Sequence, residues 1–316
     1  DLHIDGDDPD VVFGRRVLSA TGEDTFLLVN SNPTVVEVRT RRDRSQGNPI
    51  VLFYPGVTKR PYADAQFLVE AAFDNRIAHF SASPGRTVPA FPLGILLSDI
   101  EDKRTDTWQS QIVNRNGLDE YRFDQATGTV RREPDGLPEM VLSSVPLKTD
   151  PLLSNVQILD FGNELKDPAI ISQIKHGLDE QALKNWDNQL STTNTMEIPG
   201  TGYVTSDLQL ALESQIGQQR LCLLYDFAQA MSVPGWTQVR CRGVVAIRIL
   251  KVIPESGESA TIIVQPTVMT TKSAVPVKFL NEYTTDKTTT PVLYREDRDP
   301  PQPDPNPYVY KLYLSR

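Results

Sequence analysis

Histidine and cysteine are scarce in this chain: three of the first and two of the second among 316 residues. No HExxH, CxxC, GxSxG or P-loop stretch is present, so zinc hydrolysis, dithiol redox chemistry, serine-elbow catalysis and phosphate cradling all lack their motifs. His3, His79 and His176 each stand without a motif, and geometry rather than mere presence makes a histidine catalytic. Long apolar runs are missing too. Ile50–Tyr54 and Phe91–Leu97 are far too short to span a bilayer. Positive charge is in deficit, with a formal net charge of -9, which argues against nucleic acid or anionic lipid as a general partner. No cofactor is expected.

What is present describes a folded chain. Apolar residues make up 39% and charged residues 23%, ordinary values for a globular protein and too apolar for a disordered one. Residues 11–82 read as strands and turns. TVVEVRTRRDR puts Val36 and Val38 on one face with Glu37, Arg39 and Arg41 on the other, and in FLVEAAF the residues Phe67, Val69, Ala71 and Phe73 share a side. A hairpin is expected where EYRFD and TVRRE flank Gln125–Gly128. Helix signals come after residue 165. Asp167 precedes Pro168 and Gly177 ends a stripe of Ile170, Ile174 and Leu178. Ser206 and Gln209 have capping-box spacing ahead of Leu208, Leu212 and Ile216, with Gly217 as the stop. Strands resume at RLCLLYDF, TQVRCRGVVAIRIL and ATIIVQPTVM. The expected fold is therefore α+β and strand-dominated, with antiparallel, sandwich-like sheets and two or three helices in the second half. The expected division is 1–97, 98–275 and an extension over 276–316, in which DRDPPQPDPNP carries five prolines and reads as a stiff spacer.

Several residues invite a functional reading. Asp5, Asp7, Asp8 and Asp10 precede the first strand as metal candidates, yet both EF-hand frames fail: Asp1 as first ligand puts Val12 twelfth, and Asp5 puts Arg16 there. A solvated turn is the favoured reading of these aspartates. Arg39, Arg41, Arg42 and Arg44 suggest a polyanion site, but their alternation within a strand favours a solvated outer face. Acidic residues are plentiful, and nothing in their spacing selects a catalytic pair. Cys222 and Cys241 would lie about opposite each other if their strands form a hairpin. A cross-strand disulfide, which would point to an oxidising compartment, and two buried free thiols both remain open. In the terminal YVYKLYLSR, Tyr308, Tyr310, Leu312 and Leu314 share a face. That strand either closes an edge of its own domain or adds to a neighbour's sheet.

VVFGRR, TVVEVRTRRDRSQGNPIVLFY, RIAHFSA and FPLGI resemble the extracytoplasmic region of TadG-like Flp pilus-assembly proteins, which carry stretches near D-I-x-F-G, V-R-V-T-x-R and S-A-x-A. DGLPEMVL, NVQILDFGNEL, IISQIKHGL, TSDLQLALESQIGQQRLCLLYDF, RGVVAIRIL and IIVQP resemble the downstream half of longer members. The pieces are collinear over most of residues 10–268, though Ser154 and Gln157 stand where the family pattern has glycines. The resemblance implies an extracytoplasmic, envelope-located body. A transmembrane helix upstream of Asp1 would anchor it to the inner membrane. It also implies a non-enzymatic part in building or presenting a tight-adherence pilus, through contacts with other pilus or envelope proteins and with no nucleic acid. No catalytic residues come with it. The alternative expectation is a secreted carbohydrate-active hydrolase or a calcium-dependent carbohydrate-binding module.

Overall fold

The computed structural model describes residues 10–18, 24–29, 33–44, 47–53, 61–99, 103–144, 154–255, 257–276 and 305–314. Asp5, Asp7, Asp8, His3 and most of the proline-rich spacer lie outside these. The chain divides into two compact units, Asp1–Asp74 with Leu312–Arg316, and Asn75–Lys311. The first division thus falls after Asp74 and not after the expected residue 97, because the strands that follow pair within the second unit. The expected extension does not stand apart either, since its residues 305–311 belong to the second unit.

The first unit contains β1 (Val11–Leu18), β2 (Asp24–Leu28), β3 (Val35–Arg42), β4 (Ile50–Val51), β5 (Tyr62–Ala63) and β6 (Ala65–Asp74). β6, β3, β1 and β2 lie side by side in that order, all antiparallel. The register sets Val38 opposite Val69 and Val11, and Val36 opposite Ala71 and Phe13, so the expected apolar stripe does share one face. Although the arginine side was expected to be the solvated one, this face is open: Phe67 is 68% exposed, and Phe13, Leu27 and Val69 are also exposed. The opposite face is covered only in part, since Leu28 and Leu68 are exposed on it. It holds Val35, Ala72, Glu70 and Asp10, and there Arg41 donates from Nε and Nη2 to the Asp10 carboxylate at 3.1 and 2.9 Å.

The second unit begins with β7 (Ile77–Ser81), β8 (Ala90–Leu96), a π-helical turn (Gln109–Val113), β9 (Arg122–Asp124), β10 (Thr129–Arg131), β11 (Met140–Ser143) and β12 (Val156–Leu159). Next come α1 (Asp167–His176), α2 (Glu180–Leu183), β13 (Gln189–Ser191), β14 (Met196–Thr201) and α3 (Ser206–Glu213). It ends with β15 (Gln219–Ala230), β16 (Thr237–Glu255), β17 (Ser259–Pro266), β18 (Met269–Thr270), β19 (Ala274–Pro276) and the start of β20 (Val309–Leu314). The fold is α+β, dominated by antiparallel strands. The main sheet does not end in two free edges. β16 pairs with β14, β14 with β12, β12 with β8, β8 with β15, and β15 returns to β16. Every pairing in this ring is antiparallel except β8 with β15. Inside the ring the strands approach closely. A Cβ on Gly94 would sit 3.3 Å from Leu159 and Tyr225, and one on Gly200 would sit 2.7 Å from Val239.

β17 and β11 extend the sheet beyond β16. The free edge of β11 is closed by side chains instead of another strand. Gln111 Oε1 accepts from Val141 N–H at 3.1 Å and Asn155 Oδ1 from Ser143 N–H at 2.7 Å. Asn155 Nδ2 donates to the carbonyls of Val141 and Asp106 at 2.8 and 2.9 Å, and Ser154 Oγ donates to that of Ser143 at 2.9 Å. Ser154 is thus part of an edge seal. Gln157 accepts from Thr237 Oγ1 at 3.2 Å in the buried ring.

Both faces of this sheet are covered. On one, α1 and α3 contribute Ile170, Ile174, Leu208, Ala211 and Leu212 to a core with Phe91, Leu93, Ile95, Ile247 and Trp108. The expected stripes of both helices are therefore the buried ones, apart from Ile216, which lies beyond the end of α3 and is partly exposed. The caps sit one residue from where the sequence puts them. Lys166 is the N-cap of α1, and Thr205 caps α3, its hydroxyl accepting from Leu208 N–H at 3.4 Å. Gln209 hydrogen-bonds Glu213 instead of completing a capping box. Gly177 does stop α1, at φ +82°. A side chain there would also strike the Val88 carbonyl, whose strand passes at 2.3 Å from the Cβ position.

Candidate binding cleft

The hairpin expected around Gly128 forms: β9 and β10 pair, Gly128 adopts φ +68°, and its N–H donates to Asp124 O at 2.8 Å. It lies across the outer face of β16, where a bulge changes which residues point outward. Ile249 pairs with Val264, and the next pair is Lys251 with Ile263, so Leu250 is the extra residue. Before the bulge Ile247 and Ile249 face the helix-covered core, and after it Val252 does. Leu250 and Lys251 are thereby both turned outward, next to Tyr121 and Val130 of the hairpin segment. An open cleft of about 550 Å³ results, walled by Tyr121, Val130, Ile216 and Leu250 and carrying the cations Arg132 and Lys251.

The polar groups around it are ordered by the segment that covers the sheet. Lys251 Nζ donates to Tyr121 Oη at 3.2 Å. Arg132 reaches Glu120 at 3.2 Å on the exposed rim. Deeper in, the Arg248 guanidinium lies 3.7 Å over the Phe123 ring, a cation–π contact. Burial lowers its pKa, with the Asp135 charge working the other way. Asp135 accepts two hydrogen bonds from Gln265 Nε2 at 2.9 and 3.1 Å. Glu139 ties the segment down, its carboxylate accepting from the N–H groups of Glu120 (3.1 Å) and Tyr121 (2.5 Å). Burial raises the Glu139 pKa against the pull of those two donors. None of Tyr121, Val130, Arg132, Ile216, Leu250 or Lys251 stands out in the sequence. The Gly128 turn was a visible signal for the hairpin, but not for what it covers.

The residues that do stand out are placed elsewhere. Asp10 is the buried ion-pair partner of Arg41, with side-chain exposures of 11% and 9%, which corrects the reading of it as part of a solvated turn. Among the described residues no cluster of acidic, histidine or cysteine side chains could hold a metal ion. The other arginines of the expected basic cluster are also engaged: Arg39 with Glu37, Arg42 with the Asn48 carbonyl, and Arg44 with Asp64. His79 lies in β7 between β13 and β19, and burial lowers its pKa.

The cysteine hairpin forms, but its register forbids a bridge. Cys222 faces Val245 and Cys241 faces Tyr225, so the thiols are four residues apart along β16, about 13 Å at ~3.3 Å per residue. They also join different cores, Cys222 the helix-covered one and Cys241 the other. Both are free and buried, which removes the disulfide as an argument for export.

The terminal strand, expected either to close its own sheet or to reach a neighbour, pairs within its own chain. Val309 and Tyr310 lie parallel to Met269 and Thr270 of β18. Asn306 anchors the return, donating from Nδ2 to Val244 O at 2.9 Å while Oδ1 accepts from Tyr308 and Val309 N–H. Val309 is the fully buried residue, Tyr308 packs edge-on against Trp108 at 5.7 Å, Tyr310 is half-buried and Leu312 is exposed. The side chain of Leu314 lies outside the described residues.

No protein-family model, curated protein or solved structure matches this chain.

Proposed function

We propose that this protein is a non-catalytic, extracytoplasmic component of the cell envelope. It contributes to assembly or surface presentation of a tight-adherence pilus by binding other envelope proteins, as the TadG-like proteins it resembles do. The observation that carries the reading is the open apolar face of the first unit. Phe13, Leu27, Phe67 and Val69 project from one side of a single sheet and remain exposed, and contiguous apolar area of this kind marks interaction surfaces. Val36, Val38 and Thr40 lie between Phe13 and the exposed residues of β6, while Arg15 lies opposite Leu27 on the same face. A partner segment with an apolar face is the complementary chemistry.

No helix among the described residues is long and apolar enough to cross a membrane. The hydrolase alternative gains nothing from the cleft, whose lining includes no carboxylate. In a smaller recess with Glu164 and Asp179, Asp179 is engaged in capping α2 through Ala182 N–H at 2.8 Å.

The test is a double substitution, Phe67→Ser with Val69→Ser, followed by co-purification of the protein with pilus components from the envelope. Loss of association with an unchanged melting temperature is the expected result. Unchanged association, or a protein found only in the cytoplasm, would refute the proposal.

A further inference from the structure

We propose that the cleft between the β9–β10 hairpin and the bulge of β16 binds an amphipathic carboxylate, with the apolar body on Val130, Ile216 and Leu250 and the anionic head on Lys251. This reading concerns the second unit alone and does not depend on the pilus assignment. It rests on a mismatch between the shape of the site and its charge. The bulge sets Leu250 and Lys251 outward together, so one cleft acquires an aliphatic wall and an ammonium group side by side. A regular strand would place only one of the two on this face.

The charges around the cleft differ in how well they are matched. The arginines of the hairpin have acidic neighbours: Arg122 has Glu133, Arg131 has Asp124 and Arg132 has Glu120. Lys251 has a neutral partner, the Tyr121 hydroxyl, and among the described residues it forms no ion pair. No carboxylate lines the cleft, so nothing in it competes with an incoming anion. Arg132, on the rim, is already engaged by Glu120. The Tyr121 hydroxyl, which accepts from Lys251, keeps its own O–H free to donate to the same head group. A doubly charged phosphate would need a second dedicated donor of the kind that arginine forks supply. One ammonium, one phenol and an aliphatic wall suit a monoanion on a hydrocarbon or aromatic body.

A free fatty acid and the C-terminal carboxylate of an apolar peptide share this chemistry. The experiment uses the intact chain with methyl-labelled Ile, Leu and Val, titrated with decanoate, decanol, acetate, and N-acetyl-Leu-Phe as free acid and as amide. Expected are shifts at Val130, Ile216 and Leu250 for an acid bearing an apolar body, about tenfold weaker binding of its neutral counterpart, and none by acetate. Lys251→Met should reduce binding of the acid to that of the neutral compound. Ile216→Glu, at a partly exposed position, should abolish it without unfolding the protein. Whichever acid binds more tightly identifies the source. Equal binding of acid and neutral compounds, indifference to Lys251→Met, or shifts centred on Leu27 and Val69 of the first unit would overturn the proposal.

Discussion

Replacing Asn155 by leucine should cost the second unit more stability than most single changes in its core. The side chain makes three hydrogen bonds, accepting from Ser143 N–H and donating to the carbonyls of Val141 and Asp106. Leucine has nearly the same volume, so packing changes little, but it leaves one buried N–H and two carbonyls without partners. A buried group so orphaned costs about 1–3 kcal/mol. Water reaching the carbonyls from the β11 edge would reduce their share. A loss of about 3–4 kcal/mol is therefore expected, set against a total of about 5–15 kcal/mol for a typical domain. In a unit of this size that corresponds to a melting temperature lower by roughly 6–16 °C. Asn155→Asp should be no better at neutral pH, because its carboxylate would face the two carbonyls that the amide now serves. Urea unfolding at pH 7, followed by fluorescence of the buried Trp108, gives the comparison. A cost below about 1 kcal/mol for Asn155→Leu would show that the side-chain seal on β11 is incidental.

Other expectations can be checked on the same protein. Cys222 and Cys241 should be silent to a thiol reagent in the native state, since burial raises both thiol pKa values, and should titrate as two free thiols in urea; a count of zero would contradict the register of β15 and β16. Arg41→Met removes the guanidinium that pairs with the buried Asp10 carboxylate, and a loss of about 3–5 kcal/mol is expected on chemical unfolding of the first unit. The Glu139 carboxyl has a higher pKa folded than unfolded, so its contribution is fully present below the ordinary value of 4.5 and is lost as pH rises through the folded value. Stability measured from pH 4 to 7 should therefore fall less steeply in Glu139→Gln than in the wild type, and an unchanged slope would remove Glu139 as the cause.

Much of the local structure is legible residue by residue. Alternation located β3 and β6 of the first unit, Gly128 located the β9–β10 turn, and Gly177 located the end of α1, because each depends on neighbours in the chain. The shift of the caps by one residue has the same local origin: Thr205 and Ser206 both make good caps, and the choice between them depends on where the helix begins to pack. The solvated face of the arginine strand β3 was misjudged for a different reason. A period of two says which residues share a side, but not which side the rest of the molecule covers. Phe67 and Val69 share their side as read, yet they are open, while Glu70 is enclosed.

The cleft and the cysteines mark the boundary most clearly. One bulged residue, Leu250, decides that Lys251 faces outward, and the irregular pairing around Tyr225 sets where Cys241 falls against β15. Both depend on registers between strands, which follow from the packing of the whole sheet and leave no trace in the spacing of apolar residues. The closure of β16 through β14, β12, β8 and β15 is equally invisible in sequence, since the partners are up to about 130 positions apart, as Leu221 and Ala90 are. The amino-acid order by itself therefore determined the class of fold, its strands and its helix stops, through preferences that act over a few residues. Only the tertiary structure decided which faces are buried, which charges meet and where a cleft opens, because those outcomes depend on which distant segments share the same space.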